Sequence, residues 1–115
     1  MLIRVDPTRD EPLFVQVAGS VRADIAAGVL RAGDRLPSAR EVAAALDVNL
    51  HTVLRAYQEL REEGLVDMRR GRGAVVTDAA TPLTALHADV EALVARARSL
   101  GLSSDTLASL IKEQR

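Results

Sequence analysis

The sequence predicts a mainly α-helical protein with one small β-hairpin, and three observations lead to this fold class. Apolar residues recur at helical spacing in several separate stretches of the 115-residue chain. A glycine- and arginine-rich segment lies between two β-like runs. Beyond it, leucines three and four residues apart indicate a helical tail. We therefore divide the chain into a domain over residues 1–79 and a tail over residues 80–115.

The first two elements are predicted to be a short strand and a helix. Residues Leu2 to Val5 alternate in polarity, which favours an edge strand. From Glu11 to about Ala27 apolar residues recur in steps of four, which predicts the first helix. Pro12 is acceptable in its first turn, and Gly28 marks its end.

A second helix is predicted from about Ala39 to Leu46. It follows a turn at Gly33-Asp34 and begins with a capping box, in which Ser38 accepts a hydrogen bond from a first-turn N–H group and Glu41 reaches back. Its apolar side consists of Val42, Ala43 and Leu46. The connection to the next helix is as short as a helix-turn-helix requires.

The stretch from Val48 to Gly64 is predicted to be the central helix. Asn49 is a favoured N-cap, and Gly64 can adopt the left-handed conformation that ends a helix. The inward stripe is Val53, Ala56, Tyr57 and Leu60. On the opposite face the N-terminal end has the polar donors His51, Thr52 and Arg55, and the acids collect toward the C-terminal end. A polyanion would therefore meet the first two turns, as it meets a recognition helix in a DNA groove.

Two β-like runs, Leu65 to Met68 and Ala74 to Thr77, flank the segment R-R-G-R-G and predict a hairpin with a basic turn. Strand, helix, helix-turn-helix and hairpin together describe a winged helix-turn-helix domain. In isolation, the arginines of this turn would indicate a solvated loop. Because they directly follow a recognition helix, they predict contact with DNA phosphates or with the minor groove.

Composition narrows the classes of function. Aromatic residues are 2% of the chain, so the core must be aliphatic, and the absence of cysteine excludes disulfides and thiolate metal sites. No run approaches the ~18 apolar residues of a membrane span, and the N-terminus lacks a signal-peptide pattern. We expect a cytoplasmic protein with no cofactor and no membrane partner. The net charge of −1 argues against a non-specific polyanion binder but not against a DNA reader with clustered charge.

Three motifs in succession resemble the GntR family of bacterial transcription regulators. They are G-x-L-x-x-G-D-x-L-P-S-x-R-E-x-A from Gly28 to Ala43, V-N-x-x-T-V-x-R-A-Y-x-E-L-x-x-E-G-L-V from Val48 to Val66, and R-x-G-x-G from Arg69 to Gly73. The central motif and the short tail resemble the YtrA-like branch in particular. That resemblance implies a dimeric repressor, often of a transporter operon, whose partners are double-stranded DNA and a second copy of the chain.

The resemblance also implies which residues contact DNA. It places Arg40 at the start of the second helix, polar groups on the central helix, and Arg72 at the wing tip with glycines that allow close approach. The full predicted set is Arg40, Asn49, Leu50, His51, Thr52, Arg55, Arg70, Gly71, Arg72 and Gly73. Relatives often have a polar, basic or proline residue at the position of Leu50, and a polar or basic one at that of Leu54. Either the two leucines read thymine methyl groups, or Leu54 turns into the core.

Each contact has a simpler structural reading. Arg40 alone would be an ordinary exposed arginine, His51 could merely occupy the first turn, and Arg55 could pair with Glu59 at i+4, for ~0.5 kcal/mol or less. Tyr57 we assign to the core, because it lies on the apolar stripe.

The tail is predicted to be a pair of helices that form a dimer interface. Thr81 caps the first of them, with Pro82 at its first position. A second, shorter helix follows the Gly101 break, capped by Ser103 or Ser104. The heptad seam of the longer helix consists of Leu83, Leu86, Val90, Leu93, Ala97 and Leu100. Packing of the seam back on its own domain is the alternative to a homodimer.

Other functions fit the sequence less well. No nucleophile elbow, metal-spaced cluster or phosphate-binding loop frames the Ser, His and Asp residues, so we predict that the chain is not an enzyme. The tail is too short for a large effector domain, which leaves a small-molecule effector without a visible pocket. The alternative to a sequence-specific regulator is a winged helix that packages DNA or contacts protein.

Overall fold

Five helices and one two-stranded antiparallel sheet follow one another in the computed structural model, which describes residues 3–114. In chain order they are α1 (Leu13–Ala26), α2 (Ala39–Leu46), α3 (Leu50–Glu62), β1 (Val66–Arg69), β2 (Gly73–Val76), α4 (Ala80–Ser99) and α5 (Ser104–Lys112). The predicted fold class is confirmed. Two compact units divide between Thr84 and Ala85.

The core of the first unit lies between α1, α2, α3 and the hairpin. The stripe predicted for α1 is buried at Val17, Val21 and Ile25, and that predicted for α3 is buried at all four positions, with Tyr57 the most accessible at 6%. The first turn of α4 also belongs to this unit. Ala80 is part of the core cluster, and the Thr84 hydroxyl donates to the Ile25 carbonyl at 2.9 Å. The boundary between the two compact units therefore lies after Thr84, which is later in the chain than residue 79.

Local capping sets the helix-turn-helix. The Ser38 hydroxyl accepts from the Glu41 N–H at 3.1 Å, and the Asn49 side-chain oxygen accepts from the His51 N–H at 2.8 Å. Asp47 ends α2 in the left-handed conformation, with φ 54°. Both N-caps and the bounds of α2 are as predicted, but within the described residues the Glu41 carboxylate accepts no hydrogen bond from Ser38, so only half of the predicted capping box forms. Pro12 differs, because it precedes α1 as its N-cap instead of lying in the first turn.

The predicted N-terminal edge strand is wrong for the part that the structure describes. Residues 3–6 form no strand; Ile3 is buried in the core cluster, and the Arg4 N–H donates to the Ser20 hydroxyl at 3.0 Å. Leu2 lies outside the described residues. The physical reason is that Ile3 packs in the core and the Arg4 N–H group bonds to α1 instead of to a strand, while the outer edge of β2 is already paired. The Leu36 N–H donates to the Ala74 carbonyl at 2.9 Å, and the segment around Arg35 bridges Val75.

The hairpin pairs β1 with β2 in the register Val66↔Val76 to Arg69↔Gly73. Gly71 and Gly73 have φ of 78° and 74°, a conformation that side chains with a Cβ rarely adopt. The basic turn is therefore tight, and its backbone is open to close approach.

The second unit contains most of α4 together with α5. The predicted cap at Thr81 is wrong, because α4 already begins at Ala80 and the Thr77 hydroxyl accepts from the Ala79 N–H at 3.3 Å just before it. Pro82 is tolerated in the first turn, where an N–H group has no helical partner. Ser103 caps α5 by accepting from the Thr106 N–H at 3.1 Å. No helix in residues 3–114 has the length and apolar character needed to cross a membrane.

Candidate nucleic-acid interface

The N-terminal half of α3 forms an accessible polar surface, supported from behind by the core. His51 and Arg55 are exposed and Thr52 is half-buried. Val53 and Ala56 of the apolar stripe lie beneath them and are each 0% exposed. Because the inward side of the helix is fixed by close packing, the outward side chains have a defined direction. The structure thus brings three predicted contacts onto one helix.

Arg40 lies beside this surface, in the first turn of α2. Its side chain is exposed, and within residues 3–114 it joins no ion pair. The arginine is therefore not neutralised by an internal carboxylate. Its assignment as a DNA contact stays a prediction.

The two leucines that depart from the family pattern differ in their environment. Leu50 is half-buried and packs against the core cluster. Leu54 is 45% exposed and does not turn into the core. The structure therefore separates two residues that the sequence treats alike.

Arg55 makes a contact that the sequence does not reveal. Its guanidinium carbon lies 3.8 Å from the centroid of the Phe14 ring in α1. Such a cation–π contact at an exposed site contributes ~0.5–1 kcal/mol. Within the described residues Arg55 forms no ion pair with Glu59, the alternative that the i+4 spacing suggests. The guanidinium is held against α1, and it remains exposed there.

The hairpin turn places a group of arginines next to α3. Arg69 and Arg70 are exposed, as are the two turn glycines. Arg72 is also exposed, and its guanidinium donates to the Gly33 carbonyl at 3.2 Å. This hydrogen bond steadies the wing tip against the turn before α2. A guanidinium has five N–H donors, so most of those of Arg72 remain available for a phosphate.

A cleft of about 340 Å³ separates the start of α2, the outward side of α3 and the hairpin. Its floor is apolar and includes Leu36, Leu54 and Met68, and its rim includes Arg35, Arg61 and Arg72. No carboxylate is among the lining residues. The cleft therefore combines an apolar floor with a cationic rim on the face that carries the predicted DNA contacts.

Tyr57 forms one wall of this cleft and is also part of the core. Its hydroxyl donates to the Pro37 carbonyl at 2.6 Å. Burial raises the pKa of Tyr57 above its usual value, and the nearby Glu41 raises it further. The phenol consequently stays protonated through the neutral range and keeps donating to the loop before α2.

Sequence reasoning missed two features of this site. One is the stack of Arg55 on Phe14, and the other is the pairing of residues 33–36 with β2, which fixes the wing relative to the helix-turn-helix. Both join residues far apart in the chain. The only signal in the sequence is the pair of residue types themselves, an aromatic ring and an arginine, and it does not identify the partner.

Comparison with known proteins gives consistent matches. The family described as bacterial regulatory proteins, gntR family, matches residues 13–76. The HTH-type transcriptional repressor YtrA of Bacillus subtilis is 30% identical over 97% of this chain and 91% of its own length. An HTH-type transcriptional regulator of Mycobacterium tuberculosis is 37% identical over 88% of this chain and 84% of its own.

Solved structures resemble both the winged helix and the tail. YtrA from Sulfolobus acidocaldarius, a GntR-family transcription factor, is 32% identical, with a TM-score of 0.64 over 86% of this chain and 99% of its own. A GntR family transcriptional regulator from Listeria monocytogenes is 28% identical, with a TM-score of 0.64 over 96% of this chain and all of its own. The similarity therefore extends beyond the DNA-binding domain.

Proposed function

We propose that this chain, which belongs to the gntR family of bacterial regulatory proteins, represses transcription by binding an inverted-repeat operator as a homodimer. Family membership makes it a DNA-binding transcriptional regulator and not an enzyme, as the sequence predicts. The dimer, the symmetry of the operator, the sign of regulation and the contact residues form the proposal. The observation that carries it is the exposed N-terminal half of α3, together with exposed arginines in the first turn of α2 and in the hairpin.

This arrangement suits a groove and its two flanking backbones. The first two turns of α3 enter the major groove, where His51, Thr52 and Arg55 approach base edges or adjacent phosphates. Arg40 contacts the backbone on one side. The hairpin follows the backbone on the other side, through Arg70 and Arg72, and its turn glycines admit close approach.

Local charge supports the proposal despite the overall balance of −1. Arg40 and the three hairpin arginines are exposed, and within residues 3–114 none of them joins an ion pair, whereas Glu63 at the C-terminal end of α3 is paired with Arg22. Since charges are screened over about 10 Å at moderate salt, the nearby arginines outweigh distant acids at a bound phosphate.

Exposed apolar side chains on the tail support the homodimer. Leu86, Val90, Leu93 and Leu100 are 45–67% exposed along the predicted seam of α4, whereas Ala97 is buried and Leu83 packs against the core cluster of the first unit. Leucines exposed in a row are unfavourable in water and are covered when two copies associate. A two-fold dimer places two α3 helices about one helical turn of DNA apart.

Repression follows from the position of such a dimer on a promoter, where it excludes polymerase. The relative from Bacillus subtilis is itself named a repressor. The proposal also includes a transporter operon as the regulated target. Selection in vitro gives the operator sequence, and the genes downstream of its genomic copies show whether they encode a transporter.

The test is selection from randomised duplexes at physiological salt, with three proteins side by side. We expect the unaltered chain to enrich an inverted repeat with half-site centres about 10 base pairs apart. Arg55→Ala is expected to lose it. Phe14→Leu is the matched control, because it removes the stack on Phe14 but keeps the arginine, and it should enrich the same repeat.

Two results would count against the proposal. Enrichment of the same repeat by Arg55→Ala removes Arg55 from the contacts. Enrichment of no sequence by the unaltered chain favours the alternative, a winged helix that packages DNA or contacts protein.

A second expectation concerns the wing. Arg72→Ala should flatten the dependence of log K on log [salt] by about 0.9 for each wing that touches a phosphate, hence about 1.8 for a dimer. The measurement is the operator affinity at salt concentrations from about 50 to 200 mM, over which phosphate contacts change the affinity strongly. Arg98→Ala, an exposed arginine of the tail, is the control and should leave the slope unchanged. A slope for Arg72→Ala equal to that of the unaltered chain would show that the wing tip does not contact phosphate.

A further inference from the structure

Leu54 is an exposed leucine on α3, the helix that the proposed function places in the major groove. Its side chain is 45% accessible, whereas the other long apolar residues of α3 are buried or, like Leu50, packed against the core. Single exposed apolar residues are common on protein surfaces, so the exposure of Leu54 matters because of its place on α3. The partner considered for it is the DNA that the proposed function lays against this helix.

The surroundings of Leu54 indicate the direction from which that partner comes. Leu54 lines the cleft together with Ser38 at the start of α2 and Arg72 in the wing. These two elements flank the bound DNA in the proposed function. Arg55, the next residue along α3, stacks on Phe14 of α1 and does not line the cleft, so the two neighbours have different surroundings. The leucine accordingly lies at the cleft between the start of α2 and the wing.

The chemistry of the major groove restricts what a leucine can recognise there. Each base pair presents hydrogen-bond donors and acceptors at its edge, and a leucine can pair with none of them. The one apolar group in that groove is the C5-methyl of thymine. Burying a methyl against Leu54 removes apolar surface of both partners from water.

We propose that Leu54 determines operator specificity by contacting the C5-methyl group of one thymine in each half-site. The inference rests on the proposed function, since it requires α3 to lie in the major groove. It goes beyond that function by naming the residue and the chemical group of DNA that it reads. A polar residue at position 54 would select a different base.

Replacement of thymine by deoxyuridine tests this, because it deletes the methyl and keeps every hydrogen-bonding group of the base. Starting from the selected operator, each thymine is replaced in turn and affinity is measured for the unaltered chain and for Leu54→Ala. With the unaltered chain, one position per half-site should lose about fourfold, the factor for one buried methyl group. With Leu54→Ala the same replacement should change affinity by less than about twofold, because the contact is already absent.

Val29→Ala is the matched control. Val29 is 59% exposed and does not line the cleft, so this variant loses exposed apolar surface elsewhere. It should keep the full sensitivity to deoxyuridine. Melting temperatures of all three proteins should agree closely, since neither substituted side chain is in the core.

The possible results separate this inference from the proposed function. An operator at which no thymine is sensitive, or at which sensitivity is equal for the unaltered chain and Leu54→Ala, overturns the role of Leu54 and leaves the operator intact. Selection of a half-site without thymine does the same. Selection of no preferred sequence overturns both, because Leu54 then has no base to read.

Discussion

Tyr57→Ala unfolds the winged-helix domain at temperatures where the unaltered protein is folded. The Tyr57 ring is 6% exposed in the core, and its hydroxyl donates to the Pro37 carbonyl at 2.6 Å. Truncation of a buried aromatic residue costs ~3–5 kcal/mol, from a total stability of ~5–15 kcal/mol for a typical domain. We expect a melting temperature, followed by far-ultraviolet circular dichroism, that falls by more than about 10 °C.

Tyr57→Phe separates the ring from its hydroxyl. It keeps most of the packing but leaves the Pro37 carbonyl without its donor, which costs ~1–3 kcal/mol if water does not replace it. Its melting temperature should lie between those of Tyr57→Ala and the unaltered protein. If Tyr57→Ala melted within a few degrees of the unaltered protein, the ring would not be a core element. A loss of DNA binding by Tyr57→Ala would then indicate that Tyr57 itself contacts DNA.

The elements that could be predicted from the sequence are those that depend on neighbouring residues. The N-caps at Ser38 and Asn49 form hydrogen bonds two or three residues away, and the buried stripe of α3 follows from helical periodicity. The hairpin is equally local, because its glycines permit the tight turn that its two strands require. In each case the residues that determine the structure lie within one short segment of the chain.

The errors arose where distant partners compete. The polarity of residues 2–5 fits a strand, but Ile3 is buried in the core and the Arg4 N–H group bonds to Ser20 of α1, while the segment that contains Arg35 pairs with β2. Thr81 has a good capping side chain, but the helix begins one residue earlier, where Ala80 is buried in the core of the first unit. At both places, therefore, packing against residues distant in the chain outweighed the local preference for a strand or a helix cap.

The candidate site shows the same limit. Its position on α3, α2 and the hairpin could be predicted because the residue types and their order could be read directly. The environment of Leu54 and Arg55 could not, since it depends on the cleft and on Phe14 in α1. Adjacent residues of one helix thereby have different surroundings, one at a cleft beside the wing and the other against an aromatic ring. Roles in DNA binding assigned by helix position alone would miss that difference.

Leu93→Glu is expected to convert the homodimer into a monomer and to weaken operator binding by two to four orders of magnitude. Leu93 is 45% exposed at the middle of the α4 seam, so a carboxylate there would be buried at the interface without a partner. Two linked recognition helices gain about 10²–10⁴ in affinity over one, because the second half-site binds at high effective concentration. Sedimentation at tens of micromolar and titration of full and half operators measure both effects.

Ala95→Glu is the matched control, because Ala95 is exposed on α4 outside the seam and receives the same charge. It should remain dimeric, and neither variant should alter affinity for an isolated half-site, since Leu93 and Ala95 both belong to the second unit. A monomeric unaltered chain at these concentrations would contradict the homodimer. A Leu93→Glu protein that still dimerises, or equal losses for the two variants, would exclude the α4 seam as the interface. Retention of dimer with loss of full-operator binding would instead indicate that the tail sets the spacing of the two α3 helices.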